Sequence, residues 1–209
     1  MKVLLINGSI HQDGCTYTAL TLVQKSLQEE GVEADIFQIG KKPIQDCFAC
    51  GVCRTSGFGK CVIADDCVNE LIETAKEYDG FVFGSPVYYA HPCGRLVSLM
   101  DRTFFAGGAS FKYKPAAAIV SARRAGTTAS LDTILKHFTI NNMPVVSSNY
   151  WNMVHGSCPE DVLKDEEGCQ IMRVLGKNMA WLLKCIEAGK KNGIDIPQQE
   201  QKIKTNFIR

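Results

Sequence analysis

Ten cysteines stand in this chain of 209 residues, and four of them crowd one short stretch. Cys47, Cys50 and Cys53 are spaced C-x2-C-x2-C, and Cys61 follows after seven further residues. Thiolates at that spacing gather around a common centre, and a fourth completes the set that a [4Fe-4S] cluster requires. Ala49 and Gly51 between them are small enough to let the loop wrap, and Cys67 is a spare candidate for the fourth position. Two other chemistries use the same thiols. Structural zinc takes four thiolates, but usually from two separated C-x2-C pairs, which Cys61-x5-Cys67 is not. Reduced thiols or a redox pair need no metal at all.

A second constellation lies at the start of the chain. Val3-Leu4-Leu5-Ile6 is an apolar, partly β-branched run that gives way to Asn7-Gly8-Ser9 and a polar loop ending in Thr16, where a helical pattern begins. A strand-to-helix crossing aims unpaired backbone N–H groups and the positive end of a helix dipole at one point, which suits a phosphate. The spacing Gly8-x5-Gly14, followed by Cys15, lacks the lysine of a P-loop, and G-x-G-x-x-G is absent. What remains is a monophosphate loop with Ser9, His11, Thr16 and Thr18 as side-chain donors; an ordinary turn capped by Thr16 is the alternative.

The remaining pattern alternates strands with helices. Ala19, Leu20, Leu22, Val23 and Leu27 repeat at helical spacing up to Glu30-Gly31, and a strand follows at 33–39. A helix over 65–76, a strand at 81–84 and a helix over 92–105 come next. Then follow a strand at 116–121, a helix over 130–138, a strand at 145–147 and a long helix over 161–187. This order predicts an α/β fold, a doubly wound five-stranded parallel sheet with a cysteine-rich loop insertion over 47–67. Ligands of such sheets gather at the carboxyl ends of the strands, here the loops at Gly8, Ser85 and Ser121. The length suits one domain over 1–188, with 189–209 as an arm whose Phe207 and Ile208 pack on another subunit or fray.

Composition narrows the classes. A net charge of +1 from 23 basic and 22 acidic residues gives no pull toward nucleic acid or a membrane surface. No apolar run approaches a membrane span, and a cytoplasmic location is expected. Thiols stay reduced there, so the clustered cysteines weigh toward metal or redox use rather than disulfides. Cys93, Cys169 and Cys185 fall in helical patterns and are expected in the core. Of the histidines, only His91 is placed for a proton-donor role; a polar residue on a loop rim is the alternative.

With loops at Gly8, Ser85 and Ser121, the chain resembles the flavodoxin-like, NAD(P)H-dependent FMN reductase family. The family's first loop, G-S-P-R-x-x-G-N-T, is matched by Gly8-Ser9-Ile10-His11-Gln12-Asp13-Gly14-Cys15-Thr16, and its second, G-S-P-V-Y, without change by Gly84-Ser85-Pro86-Val87-Tyr88. The cysteine run resembles that of the iron-sulfur flavoproteins, a branch of the same family. The resemblance implies that Ser9, His11, Cys15 and Thr16 surround the FMN phosphate and that Pro86, Val87, Tyr88, Tyr89 and Ala90 run along the isoalloxazine ring. Ser121 to Thr127, including Arg123 and Gly126, would supply the third loop. His11 stands where the family has Arg or Lys, and Cys15 where it has Asn, so a pH-dependent cation and a poor donor replace stronger ones.

The expected function is an FMN-dependent oxidoreductase with NAD(P)H as co-substrate and a small acceptor such as free flavin, a quinone or an iron centre. The flavin carries the redox chemistry, so no catalytic side chain is required. The alternative is an iron-sulfur flavoprotein that carries electrons between protein partners, and the resemblance further implies a homodimer or homotetramer.

Overall fold

In the computed structural model, which describes residues 1–57, 59–201, 203, 205 and 207, the first apolar run is a central strand, β1 (Lys2–Asn7), with Val3 to Ile6 at most 2% exposed. Burial on both faces is what a parallel sheet between two helix layers imposes. The chain continues through α1 (Cys15–Glu29), β2 (Glu33–Gln38), α2 (Val52–Thr55), α3 (Val68–Thr74), β3 (Gly80–Tyr88) and β4 (His91–Pro92). It then runs through α4 (Gly94–Gly107), β5 (Ala116–Ala122), α5 (Thr127–Ile140), β6 (Met153–His155), α6 (Pro159–Lys164) and α7 (Glu166–Lys191).

Five strands pair in parallel in the order β2-β1-β3-β5-β6, and β4 folds back antiparallel on the end of β3. Alternate residues of each strand serve opposite faces. Leu4, Ile6, Phe81 and Phe83 pack with α3, α4 and α5, whereas Val3, Leu5, Val82, Ala117 and Ile119 pack with α1 and α7. This is the doubly wound, flavodoxin-like arrangement, and its order reverses beside β1, where β3 rather than β2 carries the sheet onward.

Three departures from expectation have local causes. Val145 makes only an isolated bridge to Ala116, and the fifth strand is Met153–His155, paired with Val120 to Ala122. Ala116 accepts the Val146 N–H at 2.9 Å, and then residues 147–151 swing outward before Asn152 O takes the Val120 N–H at 3.0 Å. The long last helix is two helices broken at Asp165, whose carboxylate accepts from the N–H groups of Gly168 at 2.9 Å and His155 at 2.7 Å. A Cβ on Gly168 would lie 2.3 Å from that carboxylate, so only glycine lets the cap close. Cys185 is exposed, while Cys93 and Cys169 are buried as expected of small core residues. Phe207 is 91% exposed, and Ile208 lies outside the described residues. Among the described residues, no helix is long and apolar enough to cross a membrane.

Candidate functional site

The first loop is shaped by a side chain that sequence periodicity does not single out. Asn7, with no exposed surface, ends β1; its Nδ2 donates to His11 O at 3.0 Å and to Gln38 Oε1 at 2.6 Å, and its Oδ1 accepts from Ser9 N at 3.1 Å. Gln38, at the end of β2, donates in turn to Ser9 O at 2.7 Å, and Ser9 Oγ accepts the His11 N–H at 3.1 Å. Two loop carbonyls that would repel an anion are thereby engaged from beneath. Gly8 donates to Gly84 O at 2.8 Å, and a Cβ there would stand 2.6 Å from that oxygen. The glycine is required by close backbone approach rather than by its dihedral angles.

Helix α1 begins at Cys15, and no side chain among the described residues caps it. Its first N–H groups are thus open to a ligand, with the positive end of the dipole behind them. Thr16 is not the cap; its hydroxyl shares a buried hydrogen bond of 2.8 Å with Ser121, joining the first loop to the third. Thr18 turns its hydroxyl back to Gly14 O and takes no part in the loop surface. Burial pushes the Cys15 thiol above its ordinary pKa, and the carboxylates of Asp161 and Glu160 push the same way, so it stays neutral.

The second loop is the far end of β3 turning into β4. Ser85 Oγ donates to Pro86 O at 2.8 Å and accepts the Cys93 N–H at 3.0 Å, and Val87 and Tyr88 pair with Pro92 and His91. At the tip, Tyr89 has φ 58° and is 99% exposed. Gly126, at φ 88°, receives this hairpin: a Cβ there would lie 2.8 Å from both Ala90 Cα and Val87 Cγ1. The second and third loops meet at that glycine.

An open cleft of about 720 Å³ lies over these loops at the carboxyl edge of the sheet. Nine of the thirteen sequence-derived residues line it: Ser9, His11, Cys15, Thr16, Pro86, Val87, Tyr88, Ser121 and Arg123. The other four do not. Tyr89 projects into solvent, Ala90 and Gly126 close the hairpin contact, and Thr127, 7% exposed, opens α5. His91 is exposed and its Nδ1 lies 2.7 Å from Pro92 O, outside the cleft. A fourth wall, Gly156 to Glu160, was not read from sequence. Its signal was Pro159 at a helix start, hidden because the fifth strand was assigned upstream.

Cys47, Cys50, Cys53 and Cys61 line one smaller cavity of about 170 Å³, walled by Phe48, Val62, Ile63 and the α4 residues Phe105 and Ala106. Positive φ at Ala49 and Gly51 bends the chain between the first three. Cys47 and Cys50 are exposed, while Cys53 and Cys61 are half-buried. Cys67 is not part of this group; its thiol donates to Ile39 O at 3.6 Å, and burial raises its pKa to about 11. Asn69 clasps Cys61 at both backbone groups, accepting its N–H at 2.8 Å and donating to its carbonyl at 2.9 Å. Arg102, 1% exposed, donates from Nε to Cys61 Sγ at 3.3 Å and pairs through its other nitrogens with Asp66. Among the described residues, no three His, Cys, Asp or Glu converge tightly enough to hold a single metal ion.

Comparison with known proteins bears on both regions. The model of the NADPH-dependent FMN reductase family matches residues 1–157, a span that includes the three loops and the cysteine segment. An iron-sulfur flavoprotein of Methanocaldococcus jannaschii is 33% identical over 195 residues, covering 90% of this chain and 100% of that protein. Another, from Methanosarcina thermophila, is 26% identical over 196 residues, covering 91% and 99%. Two solved structures share the fold. A flavoenzyme NAD(P)H:(acceptor) oxidoreductase from Paracoccus denitrificans gives a TM-score of 0.64 at 15% identity, over 88% of this chain and 97% of that one. A flavodoxin from the domain Archaea gives 0.57 at 16%, over 88% and 99%. With three quarters of its length matched by one family and iron-sulfur flavoproteins among its full-length relatives, the chain belongs to the NADPH-dependent FMN reductase family of FMN-binding flavoproteins.

Proposed function

We propose that the protein is an FMN-dependent oxidoreductase that takes electrons from NAD(P)H and passes them to a small acceptor, with an iron-sulfur cluster held at the cysteine cavity. The observation that carries this reading is the convergence of three strand-end loops on one cleft of about 720 Å³. Its donor set suits a monophosphate: an uncapped helix N-terminus, engaged carbonyls behind it, and the hydroxyls of Ser9, Thr16 and Ser121. Pro86, Val87 and Tyr88 offer an extended edge and an aromatic surface, 47% exposed at Tyr88, along which a flat ring would lie. When bound, FMN supplies both hydride and single-electron chemistry.

The chain's own residues bind and orient. His11, exposed at the rim, adds positive charge toward a phosphate when protonated, and Arg123 adds a permanent one from the third loop. The neutral Cys15 thiol adds no charge that would oppose the phosphate. Ala90 and Gly126 are assigned to holding the hairpin in place, Thr127 to opening α5, and Tyr89 to the outer surface.

The cysteine cavity fits a cluster better than zinc. A structural zinc and a [4Fe-4S] cluster would each take four thiolates. Cys47, Cys50, Cys53 and Cys61 line one cavity with Phe48, Val62, Ile63, Phe105 and Ala106, and three of them come from the C-x2-C-x2-C run that zinc sites seldom use. Cys47, Cys50, Cys53 and Cys61 would be the ligands. Exposure of Cys47 and Cys50 favours a second reading, a carrier whose cluster edge is reached by a redox protein.

The test is anaerobic purification followed by an absorption spectrum, iron and sulfide assays, and addition of NADPH or NADH. Flavin bands, about four irons per chain and bleaching by the nicotinamide fit the enzyme. Flavin and iron without bleaching fit the carrier. A colourless protein that retains neither added FMN nor iron refutes both.

A further inference from the structure

Arg102 is the largest side chain among those almost fully buried, and a guanidinium at 1% exposure persists only where its donors are satisfied. All five are. Asp66 accepts from Nη1 and, at 3.3 Å, from Nη2; Gln45 O takes Nη1 at 3.1 Å and Ile63 O takes Nη2 at 3.0 Å. The fifth donor, on Nε, is spent on Cys61 Sγ at 3.3 Å. These acceptors bracket the cysteine segment from before Cys47 to beyond Cys61, so one side chain of α4 gathers both ends of it. The ion pair is neutral as a whole but polarised. The carboxylate of Asp66 sits at the Nη end, and the sulfur faces the Nε edge.

We infer that Arg102 is a positioning residue of the cysteine cavity, which fixes Cys61 and raises the reduction potential of the cluster bound there. The inference rests on the proposed cluster. Reduction adds negative charge to a cluster and its thiolates, and a hydrogen bond from a cation to a ligand sulfur favours the reduced state. Among the described residues, Arg102 is the only side chain that donates to any of the four sulfurs, so the influence falls on Cys61 alone. Asp66 has the opposite influence. By neutralising the guanidinium it limits the rise, and its removal leaves the same N–H on the sulfur with an uncompensated positive charge.

The experiment uses the full chain reconstituted with iron and sulfide, comparing wild type with Arg102→Gln and Asp66→Asn by iron content and by midpoint potential from an EPR-monitored titration. Arg102→Gln is expected to weaken reduction about tenfold, a fall of ~59 mV for a one-electron couple, and Asp66→Asn to move the potential upward. A purely structural role would not drive the two variants in opposite directions. A wild-type potential in Arg102→Gln, or shifts of the same sign in both, overturns the inference. If Arg102→Gln binds no iron, Asp66→Asn decides: a raised potential supports it and an unchanged or lowered one overturns it. A wild-type chain that takes up no iron refutes the cluster reading instead. Hydrogen exchange on the iron-free chain then tests positioning by itself. Faster exchange over 45–66 in Arg102→Gln, with β1 unchanged, supports positioning, and no change overturns it.

Discussion

Replacing Asn7 with alanine removes the tie between the ends of β1 and β2 and the first loop. Three hydrogen bonds are lost, and they are not equal. The Ser9 N–H, on a residue 4% exposed, would be stranded without its acceptor, which costs about 2 kcal/mol. His11 O and Gln38 Oε1 lie on less buried residues and regain water, so each of those bonds contributes only about 0.5 kcal/mol. The expected loss is therefore about 3 kcal/mol, most of it from the single buried donor. In urea, with a slope of about 2–3 kcal/mol per M, that lowers the midpoint by roughly 1 M. Loosening also falls on the loop assigned to the phosphate. FMN affinity, followed by quenching of flavin fluorescence, should weaken by about tenfold for every 1.4 kcal/mol of ordering that the ligand must now supply. An Asn7→Ala protein with an unshifted urea midpoint and FMN affinity within about twofold of wild type would refute the claim that this side chain shapes the loop.

Three further outcomes follow from the same geometry. Gly126→Ala places a methyl group in a left-handed conformation, 2.8 Å from Ala90 Cα and Val87 Cγ1; unfolding in urea should register a loss of at least about 2 kcal/mol. Thr16→Val keeps the shape but strands the buried Ser121 hydroxyl; a cost of about 1–2 kcal/mol and weaker FMN binding are expected, measured by the same two assays. Cys67 titrates near 11 in the folded chain against an ordinary value of 9.0, so its contribution to stability is intact below pH 9 and is lost as pH rises through 11. Urea midpoints of the iron-free chain between pH 8.5 and 11 should fall less steeply in Cys67→Ala than in wild type, and identical slopes would refute the assignment.

The sheet was legible because its inner strands are near-continuous apolar runs. Val3 to Ile6 and Phe81 to Phe83 sit between two helix layers, and short apolar runs flanked by glycines and turn residues read as buried strands. The edge strand was not legible. Met153, Val154 and His155 form a three-residue pairing, too short for a periodicity, while the more apolar Val145-Val146 pair holds only a bridge. That error hid the Gly156 to Glu160 wall of the cleft. That the first loop, the start of the second and Ser121 with Arg123 face one cleft was readable from motif and position. Asn7, Gln38 and Arg102 were not, because their importance lies in specific partners 2 to 57 residues away in the chain, and hydrogen-bond accounting needs coordinates. Tyr89's place at the hairpin tip, with a positive φ and 99% exposure, was likewise not readable from the motif.

The carboxylate of Asp165 does two jobs at once, holding the His155 N–H of the outermost strand and the Gly168 N–H at the head of α7. One carboxylate serving two elements couples their stability, one oxygen to each. When α7 unwinds at its first turn, β6 loses its anchor on that side, and the wall from Gly156 to Glu160 loses its footing with it. Opening at one end should therefore loosen the other, and the rim of the cleft between them leans on that one acid as well as on its pairing with β5.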